Sequence, residues 1–195
     1  DGPPRGRIAR YARGRDYHKV LKKRLLRLAK ELAAEHSGAD FRACVDTAPL
    51  LEREHAARSG LGLIGKHTLL IEPGVGSWML LGAIVSTVEI APTPPRFDRT
   101  DPCGSCTKCI DACPTTAITP WEVDASKCIS YLTIEHRSEI DSSYFPAIDH
   151  WIFGCDICQE VCPHNQPTDR SVAAPLHEAY KERFRTLNVL EVLDW

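Results

Sequence analysis

The chain has 195 residues, of which 43% are apolar and 26% charged, with a formal net charge of −2. That is room for one large or two modest domains of ordinary globular composition. No apolar run approaches the ~20 residues of a membrane-spanning helix; the longest candidate, Trp78–Val85, reads as a buried strand or helix segment at most.

The near-zero net charge hides an asymmetry. Residues 1–30 hold eleven Lys/Arg against Asp1 and Asp16, a balance of +9 that leaves −11 for the remainder. A basic arm suits a polyanion such as nucleic acid, and a solvated helix face accounts for it equally well. The chain begins at Asp1, its only methionine is Met79, and it stops at Leu193-Asp194-Trp195 inside a helical pattern. The expectation is a fragment of a longer protein.

In chain order, Gly2–Gly14 is rich in Gly, Arg and Pro, with Ile8 and Tyr11 as its large apolar residues. Asp16 is placed to cap a helix reaching about Glu35, because Val20, Leu21, Leu25, Leu28 and Leu32 recur at helical spacing. Ser37-Gly38 ends it. Phe41–Val45 is a short strand candidate, followed by Asp46-Thr47-Ala48-Pro49 and a second helix, Leu50–His55, with Pro in its first turn. A strand-to-helix corner is where open α/β sheets place ligand chemistry, so Asp46 is well sited, although an N-cap role is ordinary for Asp.

Gly60-Leu-Gly62-Leu-Ile-Gly65-Lys66-His67-Thr68 matches G-x-G-x-x-G, yet it follows a helix where the dinucleotide fingerprint needs a strand. It also approaches G-x4-G-K-[ST], with His67 where the Mg²⁺-binding hydroxyl belongs. Both nucleotide readings are weak, but three glycines mean backbone lying close against something bulky. Thr68–Ile71 reads as a strand, Pro73–Ser77 as a turn and Trp78–Val88 as an apolar element. Glu89–Arg99, with three prolines, reads as a linker.

The run Cys103-Gly-Ser-Cys106-Thr-Lys-Cys109-Ile-Asp-Ala-Cys113-Pro114 has the C-x2-C-x2-C-x3-C-P spacing of bacterial ferredoxins. Cys155-Asp-Ile-Cys158-Gln-Glu-Val-Cys162-Pro163 is the same motif without its first cysteine, which Cys128 can supply from elsewhere. Eight cysteines then suit two [4Fe–4S] clusters. The x2 gaps let consecutive thiolates wrap one cubane, and the x3 gap carries the fourth to the other cluster. On that rule the first cluster takes Cys103, Cys106, Cys109 and Cys162, and the second takes Cys113, Cys128, Cys155 and Cys158. Disulfides would need an oxidising compartment, and no signal-peptide pattern is visible. Zinc favours paired C-x2-C motifs.

Downstream, Ser126 is placed to cap a helix through Cys128 and Glu135, and Trp151–Gly154 supplies apolar cover to the second motif. Pro167–Pro175 reads as a loop and Leu176–Trp195 as two short helical pieces. Cys44, the ninth cysteine, reads as a structural buried thiol.

A ferredoxin domain does not explain the first ninety residues. The segments Arg7–His18, Val45–Pro49, Gly60–Thr68, Cys128–Glu135 and Trp151–Pro163 together resemble the epoxyqueuosine reductase family. The resemblance implies an α+β protein: an α/β, reductive-dehalogenase-like cobalamin-binding domain over residues 1–91, partial here, then a two-cluster bacterial ferredoxin-like domain over 92–170. Residues 171–195 would start a C-terminal helical region. It further implies reduction of epoxyqueuosine to queuosine at the wobble position of tRNA by a cytoplasmic, monomeric oxidoreductase. The cofactors would be cobalamin and two [4Fe–4S] clusters, served by a separate electron donor, with no membrane involved. Asp46 matches the family's proton donor, and burial beside Cys44 and Val45 would raise its pKa. Tyr11, Asp46, Gly62, Gly65, Lys66, Thr68, Ser77, Ser130 and Tyr131 match cobalamin-contacting segments. Two readings from other classes stay open: an electron-transfer ferredoxin fused to an unrelated α/β module, and a dehalogenase-like cobalamin reductase of a small molecule.

Overall fold

The computed structural model describes residues 2–92, 94, 97, 101–166 and 177–193. The strands are β1 (Arg5–Ile8), β2 (Phe41–Cys44), β3 (Leu63–Ile64), β4 (Leu70–Ile71), β5 (Ala83–Ser86), β6 (Ile118–Thr119), β7 (Glu122–Val123), β8 (Trp151–Phe153) and β9 (Thr186–Asn188). The helices are α1 (Tyr17–Glu35), α2 (Glu52–Arg58), α3 (Lys108–Asp111), α4 (Ile129–Ile134), α5 (Phe145–Ile148), α6 (Ile157–Glu160) and α7 (Val189–Leu193). The architecture is mixed α/β, and no described helix is long and apolar enough to cross a membrane.

β1 forms in a stretch with no alternating pattern because its partners come from far along the chain. It is the central strand of a β8-β1-β9 sheet, parallel to β8 and antiparallel to β9. Gly6 permits the pairing: a Cβ there would run into the Ile152 side chain. The three strands come from residues 1–91, 92–170 and 171–195 in turn, so one sheet sews the three spans together. Beside it, Ala9, Ile129, Leu132, Ile148 and Trp151 form a buried apolar cluster, against which Tyr11, Tyr144, Cys155 and Ile157 pack.

A buried charge network closes this region. The Arg13 guanidinium donates from Nε to the Ile8 carbonyl at 2.8 Å and pairs with Glu182 at 2.9 Å and Asp156 at 3.4 Å. Asp156, 2% exposed, also accepts the Arg10 amide at 2.7 Å. Arg7 lies over Trp151 and Arg10 over Trp78, at 4.1 and 4.4 Å from the ring centroids. The basic amino-terminal stretch therefore divides. Arg7, Arg10 and Arg13 serve the sheet, while Lys19, Lys22, Lys23, Arg24, Arg27 and Lys30 stand exposed on α1.

α1 runs as the periodicity predicts, with the Asp16 carboxylate accepting the His18 amide at 3.0 Å as its N-cap. Its inner face rests on the antiparallel pair β2–β5, where Gly82 lets Leu21 and Leu25 close on the backbone. Leu28 departs from the predicted stripe and is exposed, together with Leu26.

Several expectations give way to local chemistry. Only Ala83–Ser86 of the Trp78–Val88 element is a strand, and it is not buried; Val85 is 47% exposed. The second helix starts at Glu52, because Thr47 N–H···O Val45 and Leu50 N–H···O Ala48 bonds commit residues 45–50, Pro49 included, to tight turns. The predicted Thr68–Ile71 strand shortens to β4, which pairs with β3, a strand that the glycine pattern concealed. Asp124, not Ser126, caps the turn before Cys128, accepting the Ser126 amide, and α4 starts only after Cys128. In the carboxyl-terminal stretch, where two helical pieces are expected, a 3-10 turn (Glu178–Tyr180) and β9 precede the short α7. The loop expected at Pro167–Pro175, and part of the Glu89–Arg99 linker, lie outside the described residues.

Removing one partner of a buried ion pair leaves the others charged and desolvated, at a cost of about 3–5 kcal/mol. Arg13→Ala should therefore strip β1 and β9 amides of at least ~100-fold of their hydrogen-exchange protection, since each 1.4 kcal/mol is about tenfold. Arg5→Ala, at the exposed strand end, should change protection by less than about threefold.

Candidate metal and cofactor site

The two cysteine segments fold alike. Each closes a tight loop and then a single helical turn, α3 in the first and α6 in the second, and α3 packs on α6. Cys103 begins its loop with its amide held by the Asp101 carboxylate at 2.8 Å, and Gly104 takes φ +52° to turn the chain. All nine cysteines are free thiols. Cys103, Cys106 and Cys109 share the wall of a cavity of about 250 Å³ with Cys162 from the second segment. No three Cys, His, Asp or Glu side chains among the described residues converge as around one metal ion.

Electrostatics groups the thiols the same way. Burial pushes Cys109 and Cys162 above the ordinary thiol range, and both are raised further by Cys103 and Cys106. Burial carries Cys155 to about 11, with Cys128, Asp156 and Cys113 adding to the rise. Cys158 reaches about 12 through burial, then Cys155, Cys128, Cys109 and Cys113. Thiols so buried ionise together only if shared positive charge sits among them, which is what an iron–sulfur cluster would bring. Backbone amides already point at sulfur: Lys66 N–H at Cys103 Sγ and Ala117 N–H at Cys113 Sγ, both 3.3 Å.

The structure gives several of the residues expected around a corrin partners within the chain. Lys66 is 7% exposed, and its ammonium donates to the carbonyls of Gly104 and Cys106 at 2.6 and 3.0 Å. The close approach that Gly62 and Gly65 permit is to their own hairpin. A Cβ on Gly62 would sit 2.6 Å from the Ile71 carbonyl oxygen, and one on Gly65 2.6 Å from the Ile71 Cδ1. Ser77 is buried, its hydroxyl donating to Gln159 and accepting from Asn165, both at 2.9 Å. His67, unremarked in the sequence except as a mismatch, lines the cavity, and burial, reinforced by His164, pushes its pKa down to about 4.

A second group forms at the α1 N-terminus. Asp46 follows β2 with φ +50°, and its carboxylate meets His18 Nε2 at 3.1 Å, while His18 Nδ1 meets Asp16 at 3.0 Å. Its expected burial is not found. Cys44 and Val45 are buried, but the Asp46 side chain is 59% exposed, because the positive φ turns it out of the β2 alternation. Tyr17 stacks on His18 at 4.0 Å and meets Tyr11 edge-on at 5.8 Å. Desolvation, then the Asp46 charge, raises both phenols, Tyr11 to about 12. For His18, desolvation opposes the proton, but hydrogen bonds to Asp46 and Asp16 outweigh it and raise the pKa. The helical pattern hid Tyr17 and His18 as site residues; their position in the turn capped by Asp16 was the available signal.

Tyr11 also touches the second cysteine segment, at 6.1 Å from the Phe153 ring and within reach of the Asp156 charge. The Asp46 group therefore adjoins the Cys155 side of the molecule. Thr68 holds φ +66°, with its carbonyl and hydroxyl both bound by Arg53 at 2.8 and 3.1 Å. Ser130 and Tyr131 occupy the first turn of α4, Ser130 half-buried and Tyr131 exposed beside His136.

Comparison with known proteins agrees with this geometry. Residues 102–165 match the 4Fe-4S double cluster binding domain, and residues 1–47 match the family described as epoxyqueuosine reductase QueG, DUF1730. An epoxyqueuosine reductase of Xanthomonas campestris pv. campestris is 49% identical over 168 residues, 86% of this chain and 46% of that protein. One of Synechocystis sp. is 42% identical over 199 residues, 99% of this chain and 68% of that protein. A crystal structure of epoxyqueuosine reductase with an epoxyqueuosine-modified tRNA-Tyr stem loop superposes with a TM-score of 0.83 at 32% identity, over 98% of this chain and 49% of that one. The chain spans about half the length of the curated relatives it matches. Identity of this level, carried through the first strand, α1 and both cysteine segments, establishes that the chain belongs to the epoxyqueuosine reductase family.

Proposed function

We propose that the protein reduces epoxyqueuosine in tRNA to queuosine, with cobalamin as the reactive centre and two [4Fe–4S] clusters as its electron supply. The observation that carries this reading is the cavity that Cys103, Cys106 and Cys109 share with Cys162 from a distant segment, with the Tyr11–Tyr17–His18–Asp46 group adjoining the second cysteine segment, in a chain of this family. The net change takes two electrons and two protons and releases the epoxide oxygen as water. When bound, a corrin supplies a strongly nucleophilic cobalt able to open a strained ring, and the clusters supply low-potential electrons.

The chain's own residues bind, orient and move protons. Cys103, Cys106, Cys109 and Cys162 hold one cluster, and Cys113, Cys128, Cys155 and Cys158 hold the other. Asp46 protonates the departing oxygen, for which its exposure beyond β2 is an asset, since a general acid must reach the substrate. His18, hydrogen-bonded to Asp46, stands behind it as a proton store. Tyr11, Asp46, Gly62, Gly65, Lys66, Thr68, Ser77, Ser130 and Tyr131 are the candidate contacts to the corrin, and Lys66 also braces the first cysteine loop. Non-glycine residues held at positive φ at both Asp46 and Thr68 support a site there, because such strain collects where function demands a geometry. The exposed Lys/Arg face of α1 is one part of the tRNA surface, and binding through it should weaken steeply with salt.

Anaerobic reconstitution of the full-length protein, followed by nucleoside analysis of treated tRNA, tests the proposal; about eight irons with no retained corrin and no queuosine formed would end it. Asp46→Asn should keep iron and cobalamin content while lowering turnover by about 10²–10⁴-fold, the usual worth of a positioned acid. Activity within a few-fold of wild type would remove Asp46 from the chemistry. By NMR, His18 should titrate above the ordinary histidine value and fall back towards it in Asp46→Asn. The sign follows from a raised folded-state pKa: the stabilisation is full below the unfolded value and is lost as pH rises through the folded one. Cys162→Ala should damage the cluster held by Cys103, Cys106 and Cys109, and spectroscopic loss of the other cluster instead would overturn the crossed assignment.

A further inference from the structure

His67 lines the first cysteine cavity, and nothing above uses its chemistry. It is 3% exposed and sits in the turn between β3 and β4. Its Nδ1 accepts the Leu69 amide at 3.1 Å, which leaves the ring proton on Nε2. Nε2 is buried and has no hydrogen-bond partner among the described residues. An unanswered buried N–H donor costs about 1–3 kcal/mol, so the arrangement makes sense if the cavity's occupant accepts the bond. That cavity is the one walled by Cys103, Cys106, Cys109 and Cys162.

The surroundings fix the ring in this pose. A side chain on Gly65 would crowd it, since a Cβ there would lie 3.0 Å from the imidazole Cε1. Next to it, Lys66 clamps the cysteine loop through its amide and its ammonium. His164 also lines the cavity, but its Nε2 is engaged with the Pro102 carbonyl at 2.9 Å.

We propose that His67 donates its Nε2–H to a sulfur of the [4Fe–4S] cluster held by Cys103, Cys106, Cys109 and Cys162, and so raises that cluster's reduction potential above its neighbour's. The inference rests on the cluster assignment made above. Reduction adds one electron's charge to the cluster, and a hydrogen-bond donor at sulfur stabilises the reduced form. The buried Lys66 ammonium acts in the same direction. The second quartet has the buried Asp156 carboxylate next to Cys155, which disfavours added negative charge, and its partner Arg13 is shared with Glu182. The asymmetry makes the His67 side the electron sink of the pair.

Two substitutions separate tuning from structure. His67→Gln can keep an N–H directed into the cavity but loses the acceptor for Leu69. His67→Asn can keep that acceptor but withdraws the donor. In full-length protein prepared anaerobically, redox titration followed by EPR should show one of two midpoints moving to more negative potential in His67→Asn and lying near wild type in His67→Gln. Reduced wild type grown with ¹⁵N-histidine should show a weak histidine-nitrogen coupling by pulsed EPR that His67→Asn lacks. No coupling in wild type, its survival in His67→Asn, or equal shifts in both variants would overturn the proposal. Wild type holding fewer than eight irons would instead overturn the cluster assignment beneath it.

Discussion

The buried carboxylate of Asp156 is the constraint on which the rest of this structure depends. It lies between Cys155 and Ile157, so its position is the position of the second cysteine loop, and it is bound by the Arg10 amide and the Arg13 guanidinium. Desolvation raises its pKa, and the Arg10 amide and Arg13 charge draw it back down. Arg13 in turn reaches the Ile8 carbonyl and Glu182. One carboxylate and one guanidinium thereby fix the amino-terminal strand, the second cysteine segment and the carboxyl-terminal stretch in register. A network of this kind adds little net stability compared with apolar packing, but it permits few alternative arrangements once formed.

That registration determines what stands next to what. Because β1 pairs with β8 two residues before Cys155, the chain leaving β1 is delivered directly onto the second cysteine loop, and Tyr11 lands between Phe153 and Tyr17. The Asp16 cap then starts α1 with His18 facing the turn after β2. The β3–β4 hairpin delivers Lys66 and His67 to the other cysteine loop. Each cysteine segment is thus met by a different piece of the amino-terminal half: the second by aromatic rings, the first by an ammonium and an imidazole.

How much of this was legible follows from the range of the interactions. The cysteines were readable because their spacing is a local property of a loop wrapping a cubane. α1 was readable because its cap and its period lie within its own sequence. β1 and β9 were not, since both are specified by partners more than 130 residues away and β1 carries a glycine that only the contact with Ile152 explains. At Gly62, Gly65 and Lys66 a glycine-rich run advertises close approach without saying to what, and the fold supplies Ile71 and the first cysteine loop as neighbours. Asp46 was expected to be buried by extension from Cys44 and Val45, and a single positive φ ended that continuity.

The backbone at Asp46 and Thr68 gives the last step. Asp46 is the apex of a three-residue turn closed by the Thr47 amide on the Val45 carbonyl at 2.6 Å, and Thr68 is β-branched at φ +66°. Each conformation costs on the order of 1–3 kcal/mol for a residue with a Cβ, and glycine at either place would relieve it. Glycine would also abolish the Asp46 carboxylate that binds His18 and the Thr68 hydroxyl that binds Arg53. The strain is held by those side-chain bonds, reaching from α1 and α2 across to the two turns, so the helices act as clamps. Loosening either clamp would let its turn relax and carry its polar group away, which makes the geometry of the Asp46 group a property of the helix N-termini as much as of the loop that bears it.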